Sequence, residues 1–281
     1  MISRFAPSPT GLLHLGHAWS AVLAHALARR AGGKFVVRIE DIDTGRCRPE
    51  FADAIQQDLA WLGLAHDGPV LVQSTRKAAH QMALDQLTAM RLTYPCFCTR
   101  ADIAAATSAP HGLAAKYPGT CSTIDRDLAS ARTATESHAI RLDVAAASAV
   151  AVSLQWIDSH AGRLVAAPEL LGDIVLARRD IGVGYMLAAV VDDAHQGVTD
   201  IVRGRDLFEA THVQRLLQAL LGLRTPRYHH HALLLAADGR RLAKRDGAET
   251  LASLRAAGVD GAALAERLRR ENPVGPDRVL Q

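Results

Sequence analysis

His14 and His17 stand three positions apart around Gly16, at the end of the stretch RFAPSPTGLLHLGH that begins at Arg4. At helical spacing both imidazoles share one face near a helix amino end, and the glycine between them lets a ligand come close to the backbone. Helix amino termini attract phosphate through their N–H groups and the helix dipole. Two imidazoles there can hydrogen-bond a phosphoryl group as its charge redistributes in a transition state, which is positioning and electrostatics rather than proton abstraction. A pair of core or capping histidines would look the same in sequence.

A second group is RRLAKRDGA, in a loop after a strand-like run and before a helix start. Only four of the 32 basic residues are lysines (Lys34, Lys77, Lys116 and Lys244), so a role that needs a compact ammonium has few candidates. Lys244 could close over a polyphosphate; taken alone, a solvated charged turn is the plainer reading. A third group is Cys96, Cys98 and Cys121, three thiolates that fall one ligand short of a tetrahedral metal site. His111, Asp102, Tyr117 and His138 compete for the fourth position, and ligand chemistry alone favours His111. Reduced structural cysteines without a metal are the alternative, and Cys47, outside the cluster, reads as an ordinary thiol.

These residues need elements to hold them. Met1 to Ala6 is strand-like and breaks at Pro7-Ser8-Pro9-Thr10-Gly11, Leu12 to Arg30 has helical spacing, and KFVVRIED is a β-run, so Met1 to Asp41 reads as one βαβ unit. Its carboxylates Glu40, Asp41 and Asp43 then lie at the carboxyl end of a parallel strand, where α/β proteins bind ligands. From about residue 91 to 178 turn residues, cysteines and short β-runs (HAIRLDV, LQWID, RLVAA) suggest a separate inserted α+β unit. The apolar pattern returns at GYMLAAVVDD and VTDIVRG, and continues through YHHHALLL to a helical tail from Leu251. The run His229 to His231 lies inside a strand pattern and is expected to be structural.

Composition supports an α/β class: 49% of the 281 residues are hydrophobic but only 4% aromatic, so the core is built from Ala, Val and Leu. No run of about 18 apolar residues appears, and the amino terminus lacks a signal-peptide pattern, so a cytoplasmic protein with no membrane partner is expected. Four cysteines, three of them clustered, point to metal rather than to a disulfide framework. A net charge of +3 permits a nucleic-acid partner without requiring one. Arg224, Arg227, Arg240, Arg241 and Arg245 are candidates to touch phosphates, although an exposed arginine face would look the same.

RFAPSPTGLLHLGH, RIEDID, VVDD, VTDIVRG and RRLAKRDG occur in the order found in class I aminoacyl-tRNA synthetases of the glutamyl branch, and the chain resembles that family over nearly its whole length. The resemblance implies a Rossmann-like catalytic domain formed by residues 1–90 and 179–250, split by an insertion at 91–178 that carries a zinc site, with 251–281 as a short helical tail. It implies that Arg4, Ala6, Ser8, Glu40, Tyr185 and Arg203 hold glutamate, and that His14, Gly16, His17 and Lys244 hold Mg-ATP. Guanidinium groups suit a carboxylate and Glu40 suits an ammonium, although Arg203 bridging surface acids and Tyr185 as a core aromatic are the plainer readings of those two residues taken singly. Within the family, shortened paralogues carry a Cys-x-Cys and Tyr-x3-Cys zinc site, and this implies Cys96, Cys98, Tyr117 and Cys121 as ligands.

There are departures as well. Ala189 stands where glutamyl enzymes often have Asn, and of the family's Lys-Met-Ser-Lys-Ser loop only Lys244 is intact. The chain ends 36 residues after Arg245, which leaves little room for an anticodon-binding domain. That truncation resembles the paralogues that activate glutamate with ATP and transfer it to the queuosine base in the anticodon loop of tRNA(Asp). A monomer is expected. The alternatives are a shortened enzyme charging a tRNA 3′ end and a non-catalytic RNA-binding module.

Overall fold

The computed structural model describes residues 1–99, 101–103, 117–234 and 249–271. Strand β1 (Ile2–Phe5) runs into a turn and helix α1 (Leu15–Arg30), then β2 (Lys34–Ile39), α2 (Pro49–Trp61), β3 (Leu71–Val72) and α3 (Lys77–Ala89). There follow β4 (Thr93–Cys96), α4 (Arg126–Thr133), β5 (Ala139–Leu142), α5 (Val144–Val150), the hairpin β6 (Gln155–Asp158) and β7 (Gly162–Val165), then β8 (Val175–Arg178) and β9 (Gly182–Val183). The chain continues with α6 (Tyr185–His195), β10 (Asp200–Gly204), α7 (Ala210–Leu220), β11 (Arg227–His231), α8 (Leu251–Ala256) and α9 (Gly261–Glu271).

The main sheet has the order β3-β2-β1-β10-β11-β6-β7 and is parallel throughout except for the final hairpin. From β1 the chain winds one way to β2 and β3, and β10 and β11 lie on the other side, so β1 and β10 flank the switch point where a crevice opens at the strands' carboxyl ends. Such a sheet needs apolar strands covered on both faces. Accordingly Phe35, Val37 and Ile39 of β2 are buried against α1, whose Ala18, Ala21, Ala24 and Ala28 let the helix lie close. Helix α9 closes the same core with Leu264, Ala265 and Leu268.

A second, antiparallel sheet has the order β4-β5-β8-β9. Two features depart from the expected inserted unit 91–178. First, the runs LQWID and RLVAA were expected in that unit, but as β6 and β7 they extend the main sheet beside β11. The reason is Trp156: only 1% exposed, it packs with Val198, Ile201 and Tyr228. Second, the small sheet continues past residue 178 into β9. The VLVQST run supplies only two strand residues before a 3-10 turn at Gln73–Arg76. Among the described residues no helix is long and apolar enough to cross a membrane.

Candidate active site and metal centre

His14 is the N-cap of α1. Its Nδ1 accepts the Gly16 N–H at 3.1 Å, while Nδ1 of His17 accepts the His14 N–H at 3.2 Å, a reciprocal capping box with rings 3.9 Å apart. With both Nδ1 atoms accepting, each neutral ring carries its proton on Nε2. The two histidines therefore build the helix terminus and also present N–H donors there. A Cβ on Gly16 would come within 3.0 Å of the His14 ring, so the glycine is what allows that ring to fold over the cap.

Arg4 of β1 donates from Nε to Asp193 Oδ1 at 3.1 Å and from Nη1 to the Val202 carbonyl at 3.2 Å. Arg38 of β2, fully buried, donates to the same Asp193 oxygen at 2.7 Å and to Glu40 Oε1 at 3.0 Å. Asp193 on α6 thus clamps two guanidinium groups. Burial alone would raise its carboxyl, but Arg38 and Arg4 outweigh burial and hold it below the usual range. Burial raises the Glu40 carboxyl, with Arg38 and Arg4 opposing. For Arg38 burial pulls the other way, and Asp193 and Glu40 overcome it and raise its pKa.

Arg203 ends β10 at 5% exposure. Its donors reach His230 Nε2 at 3.1 Å, Gln214 Oε1 at 2.8 Å and Thr211 Oγ1 at 2.7 Å, all neutral acceptors. Among the described residues no carboxylate lies within ion-pair distance of it, so bridging surface acids is not its role. Ala6 and the exposed Ser8 lie in the turn after β1, and that turn is tied to β2 by the Glu40 N–H donating to the Pro7 carbonyl at 3.0 Å. Tyr185, half-buried, opens α6, and Ala189 lies one turn further on and is buried. The next turn carries Asp192, which accepts from Gln73, Arg76 and His80 and anchors α6 to α3.

Lys244, the rest of Arg240 to Arg245, and His111 lie outside the described residues. The described chain on either side of the 235–248 segment is held at α1: His231 Nε2 is 2.8 Å from Ser20 Oγ, Thr250 forms an antiparallel bridge with His14, and the Leu251 N–H donates to the Leu13 carbonyl at 2.8 Å.

The sulfurs of Cys96, Cys98 and Cys121 lie within 4.8 Å of one another, and this cluster could hold a metal ion. Tyr117 stands with them: its Oη is 3.4 Å from Cys96 Sγ and 3.7 Å from Cys98 Sγ, and Cys98 Sγ is 3.5 Å from Cys121 Sγ. A tetrahedral zinc with sulfurs at about 2.3 Å and an oxygen at about 2.0 Å spaces its ligands roughly 3.5 to 3.8 Å apart, so the donor set fits. His138 instead faces the Glu136 carbonyl and the Phe97 ring, and Asp102 caps its own turn by accepting from Thr99.

A buried cluster of arginines and carboxylates thus lies at the switch point, beside a histidine-capped helix terminus. The family model for the catalytic domain of class I tRNA synthetases for glutamate and glutamine matches residues 1–272. The Glutamyl-Q tRNA(Asp) synthetase of Rhodobacter capsulatus is 47% identical over 272 residues, with 93% of this chain and 97% of that one covered. The protein of the same name from Symbiobacterium thermophilum is 42% identical over 299 residues, with 100% and 91% covered. A glutamate tRNA ligase structure from Elizabethkingia meningosepticum aligns with a TM-score of 0.72 at 28% identity, over 88% of this chain and 52% of that enzyme, of which this chain thus spans about half. The chain belongs to the Glutamyl-Q tRNA(Asp) synthetase family, a branch of the class I synthetases for glutamate and glutamine.

The family resemblance pointed to Arg4, Glu40 and Arg203 but not to their partners. Arg38 and Asp193 lie inside the quoted motifs RIEDID and VVDD, and charged residues in runs this apolar were the available signal. Gln214 and Thr211 carried no signal, because only the packing of α7 on β10 brings them to Arg203.

Proposed function

We propose that the chain activates L-glutamate with Mg-ATP and transfers it to the queuosine base of tRNA(Asp). The observation that carries the substrate assignment is one of charge. Among the described residues Arg4 and Arg38 are paired with Asp193 and Glu40, whereas the buried Arg203 makes no direct ion pair and reaches the nearby Asp158 carboxylate only through the His230 ring. The side-chain carboxylate of glutamate gives Arg203 a direct anionic partner; the neutral amide of glutamine does not. An unmatched buried cation is costly, and this favours the ligand that compensates it.

In the first step the glutamate α-carboxylate attacks the α-phosphorus of ATP, the bond to the bridging oxygen breaks, and pyrophosphate leaves with glutamyl-adenylate formed. Arg4 and Arg203 hold carboxylate oxygens, Glu40 faces the ammonium, and Ala6, Ser8 and Tyr185 line the turn and helix start around them. His14 and His17 donate to the phosphates over the helix terminus that Gly16 keeps open. Lys244, the one intact residue of the family's loop, supplies a positive charge to the leaving group. In the second step a hydroxyl of the queuosine cyclopentenediol attacks the adenylate carbonyl and AMP departs. Residues 1–90 and 179–250 supply these groups, and the tRNA anticodon loop meets them directly.

Cys96, Cys98, Tyr117 and Cys121 would hold zinc, which supplies a cross-link between β4 and the chain at 117–121 and takes no part in the reaction. Cys98→Ser is expected to lower zinc content, measured by plasma mass spectrometry, from about one per chain to below about 0.1, because a hydroxyl is a far weaker zinc donor than a thiolate. Full zinc retention would count against the site.

The acceptor is tested by incubating the enzyme with radiolabelled glutamate, ATP and tRNA(Asp) that carries or lacks queuosine. Label should enter only the queuosine-containing tRNA and should resist removal of the tRNA 3′ terminus. Label on the unmodified tRNA would identify the 3′ end as acceptor, and absence of glutamate-dependent pyrophosphate exchange would identify a non-catalytic module.

A further inference from the structure

We propose that Asp158 and His230 are positioning residues for Arg203: Asp158 sets the His230 tautomer, and the ring nitrogen left as an acceptor sets the guanidinium. This rests on the assignment of Arg203 to a substrate carboxylate. His230 Nδ1 is 2.8 Å from Asp158 Oδ2. Asp158 is an anion held by four donors: Oδ1 accepts the N–H groups of His160 and Ala161 at 2.8 and 2.9 Å, and Oδ2 accepts the His230 N–H at 3.2 Å as well as the ring. Burial would raise this carboxyl, but the His230 ring and those N–H groups outweigh it and bring it to about 2. An ionised carboxylate only accepts, so Nδ1 carries the ring proton and Nε2 carries the lone pair. That lone pair receives Arg203 Nε–H at 3.1 Å.

The ring itself is boxed in. Tyr228 lies parallel to it at 5.8 Å, and Phe208 and Trp156 meet it edge-on at 5.0 and 6.0 Å. The opposite tautomer would set N–H against N–H and turn the guanidinium away, and a carboxylate gripped by two parallel N–H groups tolerates little misorientation. Asp158 sits at the end of β6, the strand that joins the main sheet next to β11, so that hairpin reaches the substrate pocket through one imidazole.

The relay also has a pH signature. The charged or titratable groups around His230 are Asp158 from β6, Arg203 from β10, and Tyr228, His229 and His231 on its own strand, with Thr211 Oγ1 at 3.3 Å. Burial lowers the His230 imidazole below 6.5, Arg203 adds to this, and Asp158 opposes it. The native state therefore holds a neutral ring at neutral pH. Its contribution is complete above the unfolded value and is lost as pH falls toward the depressed one, when Nε2 becomes a donor and releases Arg203.

The test is glutamate-dependent ATP–pyrophosphate exchange by the full chain, with melting temperatures, for Asp158→Asn, His230→Leu, His230→Gln and Arg203→Met. Asp158→Asn and His230→Leu should raise the glutamate KM about 10- to 100-fold while the ATP KM and kcat change less than about threefold. His230→Gln, whose carbonyl can stand where Nε2 stood, should recover most of the glutamate KM even though leucine packs better and melts higher. A purely structural role would rank the two by melting temperature instead. A glutamate KM within about twofold of wild type in His230→Leu, or no better in Gln than in Leu, overturns the proposal. If Asp158→Asn does not fold, the His230→Leu and His230→Gln pair decides by the same criterion. If Arg203→Met also leaves the glutamate KM unchanged, the fault lies in the assignment of Arg203 itself.

Discussion

Arg203→Met is expected to lower kcat/KM for glutamate about 10²- to 10³-fold, or about 3–4 kcal/mol of transition-state stabilisation, while the ATP KM stays within a factor of about three. The size follows from the site. The guanidinium is buried and meets only neutral acceptors directly among the described residues, so it has no direct internal ion pair to break before it takes the substrate carboxylate. Methionine preserves bulk and removes the charge. The same substitution removes the buried guanidinium that lacks a direct carboxylate partner, so discrimination between glutamate and glutamine should fall as well. Pyrophosphate exchange measured with each amino acid checks both statements, and an unchanged ratio of the two kcat/KM values would show that Arg203 does not select the substrate.

The second large effect is expected at His17, where two functions of one ring can be separated. Nδ1 accepts the His14 N–H and so completes the cap of α1, whereas Nε2 is the donor assigned to phosphate. Asparagine places its carbonyl oxygen at about the position of Nδ1 and has no counterpart of Nε2. His17→Asn should therefore keep its melting temperature within about 2 °C of wild type and yet lose about 10²-fold in exchange kcat. His17→Ala loses both, with a further capping penalty of about 1 kcal/mol. An Asn variant with wild-type kcat would reduce His17 to a cap and leave the phosphate contact to other groups.

These two residues also mark where sequence reading succeeds. His14, Gly16 and His17 interact over a few positions of one helix start, and a local arrangement is specified by local residues. The same holds for Cys96 with Cys98 and for Tyr117 with Cys121: the spacing within each pair was visible, and bringing the two pairs together was the part left to the fold. Among the four residues weighed for the fourth ligand position, the structure describes Tyr117 beside the thiols and gives Asp102 and His138 other partners.

Sequence by itself determined the βαβ start, the carboxylates at the end of β2, the strand that carries Arg203 and the order of motifs, because each depends on apolar period and chain order alone. Tertiary structure decided what those side chains meet. Arg4 and Arg38 find Asp193 across 189 and 155 residues, and His230 finds Asp158 across 72. No local period encodes such pairings. A short strand such as β6 alternates in the same way in either sheet, and it was the burial of Trp156 against Tyr228 and Ile201 that placed Asp158 next to His230. The physical reason is that buried charges are stable only when matched, and the partners that match them come from whichever elements the core packs together.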